Sequence, residues 1–273
     1  MQPTTPSIPQ ETLWIPTPHG RLYAERWHPS GAPAAQAGGS PFVLFHDSLG
    51  SVALWRDFPQ QLATATGRDV IAYDRLGFGQ SDAYPDRLSG NFVRAETRAG
   101  LQPLREALGL TRFIALGHSV GGGMAVCAAA QHPEDCRGLV TIAAQAFVDD
   151  GILAGIREVE QAFAQPGQLE RLQKYHGDKA AWVLRAWVDS WCAPWFADWT
   201  LDEELPRVQC PLLVIHGEKD EYGCSTHPRR IAEHSRGPAT LCLLEGVGHV
   251  PHRERPKDVL QQIQQWLQTH AVE

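Results

Sequence analysis

Apolar and polar residues follow one another along this chain in blocks, short apolar runs giving way to longer amphipathic stretches. Leu13 to Pro18 and Arg21 to Trp27 flank the turn His19-Gly20 and predict two early strands. Phe42-Val43-Leu44-Phe45 is continuously apolar, as a strand buried on both faces must be. Asp69 to Asp74, Phe113 to Leu116, Gly138 to Ala143, Val208 to Ile215 and Thr240 to Leu244 predict further strands. Between these runs, residues 55–66, residues 92–109 and the segment after Gly121 predict helices, and Pro256 to His270 predicts a closing one. Alternation of this kind is the pattern of a parallel sheet with helices on both faces.

From about Asp150 to Leu205 the alternation stops. Helical stretches at 151–164, 167–175 and 178–192 succeed one another, and Trp182, Trp187, Trp191, Trp195 and Trp199 fall within or just after them. The reading is a helical cap at 150–205 inserted into a core made of 1–149 and 206–273. The spacing of Trp182, Trp187 and Trp191 suits packing of the cap onto the core. It also suits an aromatic wall for an apolar acyl or aryl group, and both readings stay open for different residues. The stretch from Pro29 to Pro41 is rich in Gly, Ala and Pro and predicts a surface loop.

Composition narrows the classes of function. A chain of 273 residues with 43% hydrophobic and 20% charged residues builds a full core without staples. The formal net charge of −7, with no Lys/Arg run, argues against a nucleic-acid partner. No run approaches the roughly 18 apolar residues of a membrane span, and Met1 to Pro9 carries no mark of a secretion signal. Cysteines at 127, 136, 192, 210, 224 and 242 form no C-x-x-C pair and show no zinc spacing, so buried free thiols and a cytoplasmic location are expected. No histidine pair with a third ligand falls at usable spacing, so neither metal nor cofactor is expected.

The chemistry gathers at Gly117-His118-Ser119-Val120-Gly121, which joins an apolar strand run to a glycine- and alanine-rich helix. Such a turn thrusts the serine oxygen out of the strand and aims the Val120 amide, at the positive helix end, toward an oxyanion. G-x-S-x-G alone occurs by chance in roughly one chain in ten of this length, so its surroundings must decide. A serine needs a base oriented by a carboxylate. Asp220 follows the strand ending at Ile215 within His216-Gly217-Glu218-Lys219-Asp220, and His249 follows the next strand within Gly248-His249-Val250-Pro251-His252. Ser119, Asp220 and His249 thus come in the order serine, acid, histidine at carboxyl ends of strands. A second oxyanion donor could come from the Ser48 amide in the loop after Phe45.

With these motifs in order, the chain resembles the α/β-hydrolase superfamily, in its capped, serine-nucleophile branch, over nearly its whole length. The likeness is carried by Phe45-His46-Asp47-Ser48-Leu49-Gly50-Ser51, Asp74-Arg75-Leu76-Gly77-Phe78-Gly79-Gln80-Ser81, the Ser119 turn, and the Asp220 and His249 loops. The resemblance implies an eight-stranded, mostly parallel sheet with a helical cap near 150–205. It implies Ser119 as nucleophile, His249 as general base and then acid, Asp220 as orienting carboxylate, and the Ser48 and Val120 amides as oxyanion hole. Where many relatives carry glycine after the oxyanion-loop histidine, this chain has Asp47. A carboxylate aimed at the hole would repel developing charge by roughly 4 kcal/mol at 4 Å and an effective dielectric of 20. Its side chain should turn away, toward loop amides or Arg75.

Glu218 and Glu221 compete with Asp220 as surface acids, and Ala143-Ala144-Gln145 offers no carboxylate at the alternative family position. His252 and His46 read as structural, and His118 as reaching the sheet core or pocket floor. The expected reaction is acyl transfer to water on a small or medium apolar ester or thioester, carbonyl carbon attacked by Ser119. A C–C bond hydrolase of diketone or dienoate substrates would share these residues but need a cation for a substrate carboxylate, with Arg185 or Lys179 as candidates. A non-catalytic ligand-binding member of the fold is the remaining class.

Overall fold

Strands form where the β-branched and aromatic runs place them. In the computed structural model, which describes residues 8–29 and 39–272, one sheet holds β1 (Gln10–Thr17), β2 (Gly20–Trp27), β3 (Phe42–Phe45), β4 (Val70–Tyr73), β5 (Phe113–His118), β6 (Cys136–Ile142), β7 (Leu212–Gly217) and β8 (Ala239–Leu244). The loop predicted from Pro29 to Pro41 lies largely outside the described residues, as does most of Met1 to Pro9. The strand order is β1-β2-β4-β3-β5-β6-β7-β8. β1 pairs with β2 and β2 with β4 in antiparallel fashion, and the other neighbours pair in parallel, so the expected mostly parallel, eight-stranded sheet is the one found.

Period-two alternation decides which face each strand residue serves. Val43, Phe45, Ile71 and Tyr73 join one apolar core, and Phe42, Leu44, Val70 and Ala72 join the other. The helices in chain order are α1 (Phe58–Thr66), α2 (Phe92–Glu96), α3 (Gln102–Leu108), α4 (Val120–Gln131), α5 (Asp150–Phe163), α6 (Gln168–His176), α7 (Ala180–Trp191), α8 (Thr226–His234), α9 (Pro251–Glu254) and α10 (Pro256–Thr269). α1 and α10 cover the second core through Phe58, Leu62, Val259, Ile263 and Trp266. α2, α3, α4 and α8 cover the first, through Val93, Leu104, Met124 and Ile231.

One predicted helix is not continuous. Between α2 and α3 the chain makes a π turn at Thr97–Leu101. Gly100 sits in it because a Cβ there would lie 2.0 Å from Glu96 Oε1 and 2.7 Å from Tyr73 Cε2. α8 went unpredicted, since only His227, Pro228 and Ile231 of its nine residues are buried and its apolar stripe is too short to read.

Between residues 150 and 205, the segment expected to form a cap, the chain is built on α5, α6 and α7. Asp149 caps α5, its Oδ1 accepting the Ile152 N–H at 2.8 Å. Leu172, Ala180 and Val183 meet Phe78 in a small apolar cluster of their own. Polar tethers complete the attachment: His176 accepts the Gly79 N–H at Nδ1 (2.8 Å) and meets the Leu49 carbonyl at Nε2 (3.0 Å). Lys179 Nζ donates to Gly79 O at 2.9 Å, and Trp182 Nε1 to Asp86 O at 3.0 Å. Among the described residues, no helix is long and apolar enough to cross a membrane.

Candidate active site

Ser119 stands between β5 and α4 with φ 56 and ψ −127, a left-handed φ that a non-glycine residue holds only when its surroundings over-determine it. Those surroundings are backbone. A Cβ on Gly117 would lie 2.0 Å from Gly121 O, and one on Gly121 would lie 2.1 Å from Phe45 O, so strand, turn and helix meet with no room for a side chain. The Ser119 N–H donates to Ile142 O at 2.9 Å and its carbonyl accepts from Gly122 N–H at 2.8 Å. The side chain opens into a cavity of ≈ 170 Å³ shared with Ser48, Gln145, Tyr222 and His249.

The loops after β7 and β8 bring Asp220 and His249 together. His249 Nδ1 lies 2.8 Å from Asp220 Oδ1, which also accepts the Tyr222 N–H at 2.8 Å. The Asp220 side chain is fully buried, and His216 Nε2 stands 3.3 Å from its second oxygen. Burial alone would raise this carboxyl, but the hydrogen bond and charge of His249 and the Tyr222 amide outweigh it and hold it below the usual carboxylate range. With Nδ1 engaged by the acid, the Nε2 of His249 is left for the cavity. Ser119 Oγ meets the Gln145 amide at 3.4 Å, and no Ser119–His249 hydrogen bond forms in this state. Glu218 and Glu221 take no part in the Asp220–His249 contact.

Asp47 lines the same cavity, yet its carboxylate is engaged. Oδ1 accepts the Leu49 N–H at 2.9 Å and Oδ2 lies 3.2 Å from His118 Nδ1. Removal from water alone would raise this carboxyl, and the contact with His118, aided by His46 and His249, more than reverses that and holds it far below the ordinary range. Arg75 does come near, but its Nη2 donates to the Asp47 carbonyl at 2.9 Å and not to the carboxylate. His118 Nε2 in turn donates to the His249 carbonyl at 2.8 Å, because a carbonyl can only accept. Asp47, His118 and the His249 backbone are thereby tied in one line. His252 is buried against Trp55 (4.9 Å), Phe58 (5.3 Å) and His118 (4.7 Å), which fits the structural role expected of it. His46 accepts the Arg75 N–H at Nε2 (3.1 Å) and meets Asp47 O at Nδ1 (2.8 Å), again a structural engagement.

A family model described as the alpha/beta hydrolase fold matches residues 40–187, more than half of the chain. The protein belongs to the α/β-hydrolase family. The human protein named serine hydrolase BPHL is 33% identical to this hydrolase over 199 residues, which cover 70% of this chain and 67% of that protein. Among solved structures, a bacterial membrane phospholipase A superposes with TM-score 0.76 at 19% identity, over 97% of this chain and 87% of that one. A thermophilic esterase from Thermogutta terrifontis does so with TM-score 0.72 at 21% identity, over 95% and 99%. These two likenesses carry the fold.

The cap of the hydrolase divides its tryptophans between the two readings. Trp187 and Trp191 line the cavity with Ile152 and Ile156 of α5. Trp199 stacks on Phe196 at 5.3 Å within the core, Trp182 packs edge-on against Phe78, and Trp195 is 54% exposed. Gln145 and Tyr222 are cavity residues that the sequence reading did not single out. Each reaches the site through a loop whose path depends on the sheet, and neither carries a local motif.

Asp149, Cys224 and His227 offer ligand atoms within 4.8 Å of one another, a grouping that no spacing in the sequence announces. His227 Nδ1 accepts the Ala146 N–H at 3.2 Å, so its hydrogen sits on Nε2, 3.0 Å from Asp149 Oδ2. The nitrogen facing the group thus presents a hydrogen instead of a lone pair, and the set fits a hydrogen-bonded clasp at the start of α5 better than a metal site. Cys224 is exposed, and Cys192 and Cys242 are half-buried, so the expectation of buried thiols holds for Cys127, Cys136 and Cys210 alone. Cys224 lies on the loop between β7 and α8, outside the core.

Proposed function

We propose that this α/β hydrolase cleaves a small or medium apolar carboxylic ester or thioester through an acyl-enzyme on Ser119. The observation that carries the reading is the 2.8 Å contact of His249 Nδ1 with buried Asp220, made beside the cavity into which Ser119 opens. In the mechanism, Ser119 Oγ leaves the Gln145 amide and gives its proton to His249 Nε2 as it attacks the carbonyl carbon. Asp220 stabilises the imidazolium that forms. The oxygen of the tetrahedral intermediate takes hydrogen bonds from the Ser48 and Val120 amides, the second at the positive end of α4. His249 then protonates the leaving alcohol or thiol, and a water deprotonated by His249 releases the acid. Ile152, Ile156, Trp187 and Trp191 suit an apolar acyl or alkyl group.

The C–C hydrolase reading looked to the cap for a cation to hold a substrate carboxylate, and the two cap candidates are engaged elsewhere. Arg185 pairs with Glu160 and Asp189 near the surface, and Lys179 holds Gly79 O. We also infer a cytoplasmic setting, supported by the unbridged state of the cysteines.

Reaction with a fluorophosphonate probe tests the nucleophile, since wild type should be labelled and Ser119→Ala should not. A panel of p-nitrophenyl esters of graded chain length tests the reaction. Labelling without turnover on any ester would overturn the esterase reading, and absence of labelling would favour a ligand-binding protein.

A further inference from the structure

Behind the Ser119 cavity lies a second one of ≈ 320 Å³, bounded by Arg75, Phe78, Leu88, Phe92 and Glu96 and reaching the surface near His19. A small void of ≈ 10 Å³ makes a neck between them, sharing Ser48, Trp187 and Trp191 with the first and Arg75, Phe78, Leu88 and Phe92 with the second, and Val120 lines it too. The neck therefore begins beside the two amides assigned above to the oxyanion, where the acyl part of a bound ester would extend.

Arg75 is 3% exposed and its guanidinium lies on the Phe78 ring, Cζ 4.0 Å from the centroid. Nη2 is used by the Asp47 carbonyl, and buried Nε has no partner. Among the described residues, no carboxylate comes within the 4.0 Å of an ion pair with it. The nearby acids are committed: Asp47 to the Leu49 amide and His118, Asp74 to the Val52 and Gln80 amides. Glu96 takes the Tyr73 hydroxyl at 2.8 Å, and burial pushes its carboxyl up to about 7 against the pull of the Arg75 charge. A buried guanidinium with an unmet donor beside an open cavity is costly unless an anion completes it. Planar, forked donors of this kind match a carboxylate.

We propose that Arg75 and the cavity behind the neck form a carboxylate-binding subsite, and that the preferred acyl group carries a terminal carboxylate which passes the Ser48–Val120 neck to reach it. The inference rests on Ser119 being the acylated residue and names the substrate class of that site. Phe78, Leu88 and Phe92 enclose the methylene chain, and Arg75 selects its charged end. The neck holds about one water, so entry requires Leu88 or Trp187 to shift rotamer.

The test compares p-nitrophenyl half-esters of straight diacids, from butanedioic to octanedioic, with neutral p-nitrophenyl esters of the same chain lengths. For wild type, kcat/KM for one diacid length should exceed that of its neutral counterpart about ten-fold or more, as a charge-assisted hydrogen bond allows. Arg75→Gln should abolish this ratio and Arg75→Lys should restore part of it, whatever fall both substrates share. Leu88→Trp, which closes the neck and leaves Arg75 in place, should lower the ratio as well and covers the case in which Arg75→Gln does not fold. Calorimetry of free hexanedioate and octanedioate with Ser119→Ala reads the subsite without any turnover. Binding of a diacid there supports it even if no ester, charged or neutral, is hydrolysed, a result that would sink the esterase reading alone. Equal rates on charged and neutral esters together with no diacid binding would overturn the subsite and leave the esterase reading intact.

Discussion

The Ser119 turn and the cap face each other across one cavity, and they are held in place by different means. At the turn, backbone meets backbone, Gly117 against Gly121 O and Gly121 against Phe45 O, and Gly122 packs against the methyl of Ala144. Across the cap the attachment is by side chains, with His176 making two hydrogen bonds and Lys179 and Trp182 one each to backbone atoms of the core loops. α5 buries only Ile152 and Ile156 of its fourteen residues, whereas α4 buries eleven of twelve. Close backbone contact leaves no slack where reacting atoms must align within fractions of an ångström. Polar tethers leave slack where the shape of the substrate is read. The difference teaches that alignment and selectivity are built from separate materials and should fail separately.

The strongest way to sharpen the contrast is to change the aligned side. Ser119→Ala should lower kcat/KM on p-nitrophenyl butyrate by at least ~10⁴-fold with an unchanged melting temperature, and Asp220→Asn by about 10³–10⁴-fold. A melting temperature that falls in step with activity would place these residues in the fold and not the chemistry. Next comes Gly121→Ala, whose new methyl would stand 2.1 Å from a carbonyl that cannot rotate away. It should destabilise by roughly 1–3 kcal/mol or more in denaturant titration and reduce turnover on every ester alike.

On the cap side the effects should be smaller and selective. Trp187→Ala, by removing an indole from the cavity wall and enlarging the cavity, should move the optimal acyl length upward and shift the ratio of long to short esters about ten-fold, with fluorophosphonate labelling preserved. A uniform loss across chain lengths would show that the cap also aligns the reaction. The least effect is on pH. Buried His176 has its proton affinity lowered, by burial first, below the ordinary value of 6.5 that it regains on unfolding. Its contribution to stability is thus fully present above about pH 6.5 and is lost as pH falls below that, because the unfolded chain takes up the proton first. His176→Gln should flatten the dependence of the denaturation midpoint on pH in that window, and an unchanged slope would remove His176 from the account.

Much of the aligned side was legible because each part is local: an apolar strand, a turn residue, and the residue that follows. Asp220 and His249 were reached from where strands end, and the structure brings those two into hydrogen-bond contact. Gln145 could not be found that way, since it meets Ser119 through a strand end that only the sheet order makes adjacent. The direction of Asp47 was half legible: charge repulsion says it turns aside, and only the packing of His118 against it says where. Arg75 sits in a motif the sequence displays, but its missing partner is a property of the space around it and leaves no mark on spacing. On the cap, periodicity located the helices, yet which tryptophan faces the cavity depends on how α7 lies over α5.

The π turn at Thr97–Leu101 works as a phase shifter. A regular helix through 92–108 would turn about 100° per residue, so the one residue accommodated there re-sets which side chains after it face the sheet. Leu101 and Leu104 stay in the core while Glu96, just before the turn, is left pointing to Tyr73 and the rear cavity. Deleting exposed Ala99 would straighten the helix by one count and force a choice between the leucines and the carboxyl. The one extra residue held in the π turn thereby couples the packing of the first core to the polarity of the chamber behind Arg75.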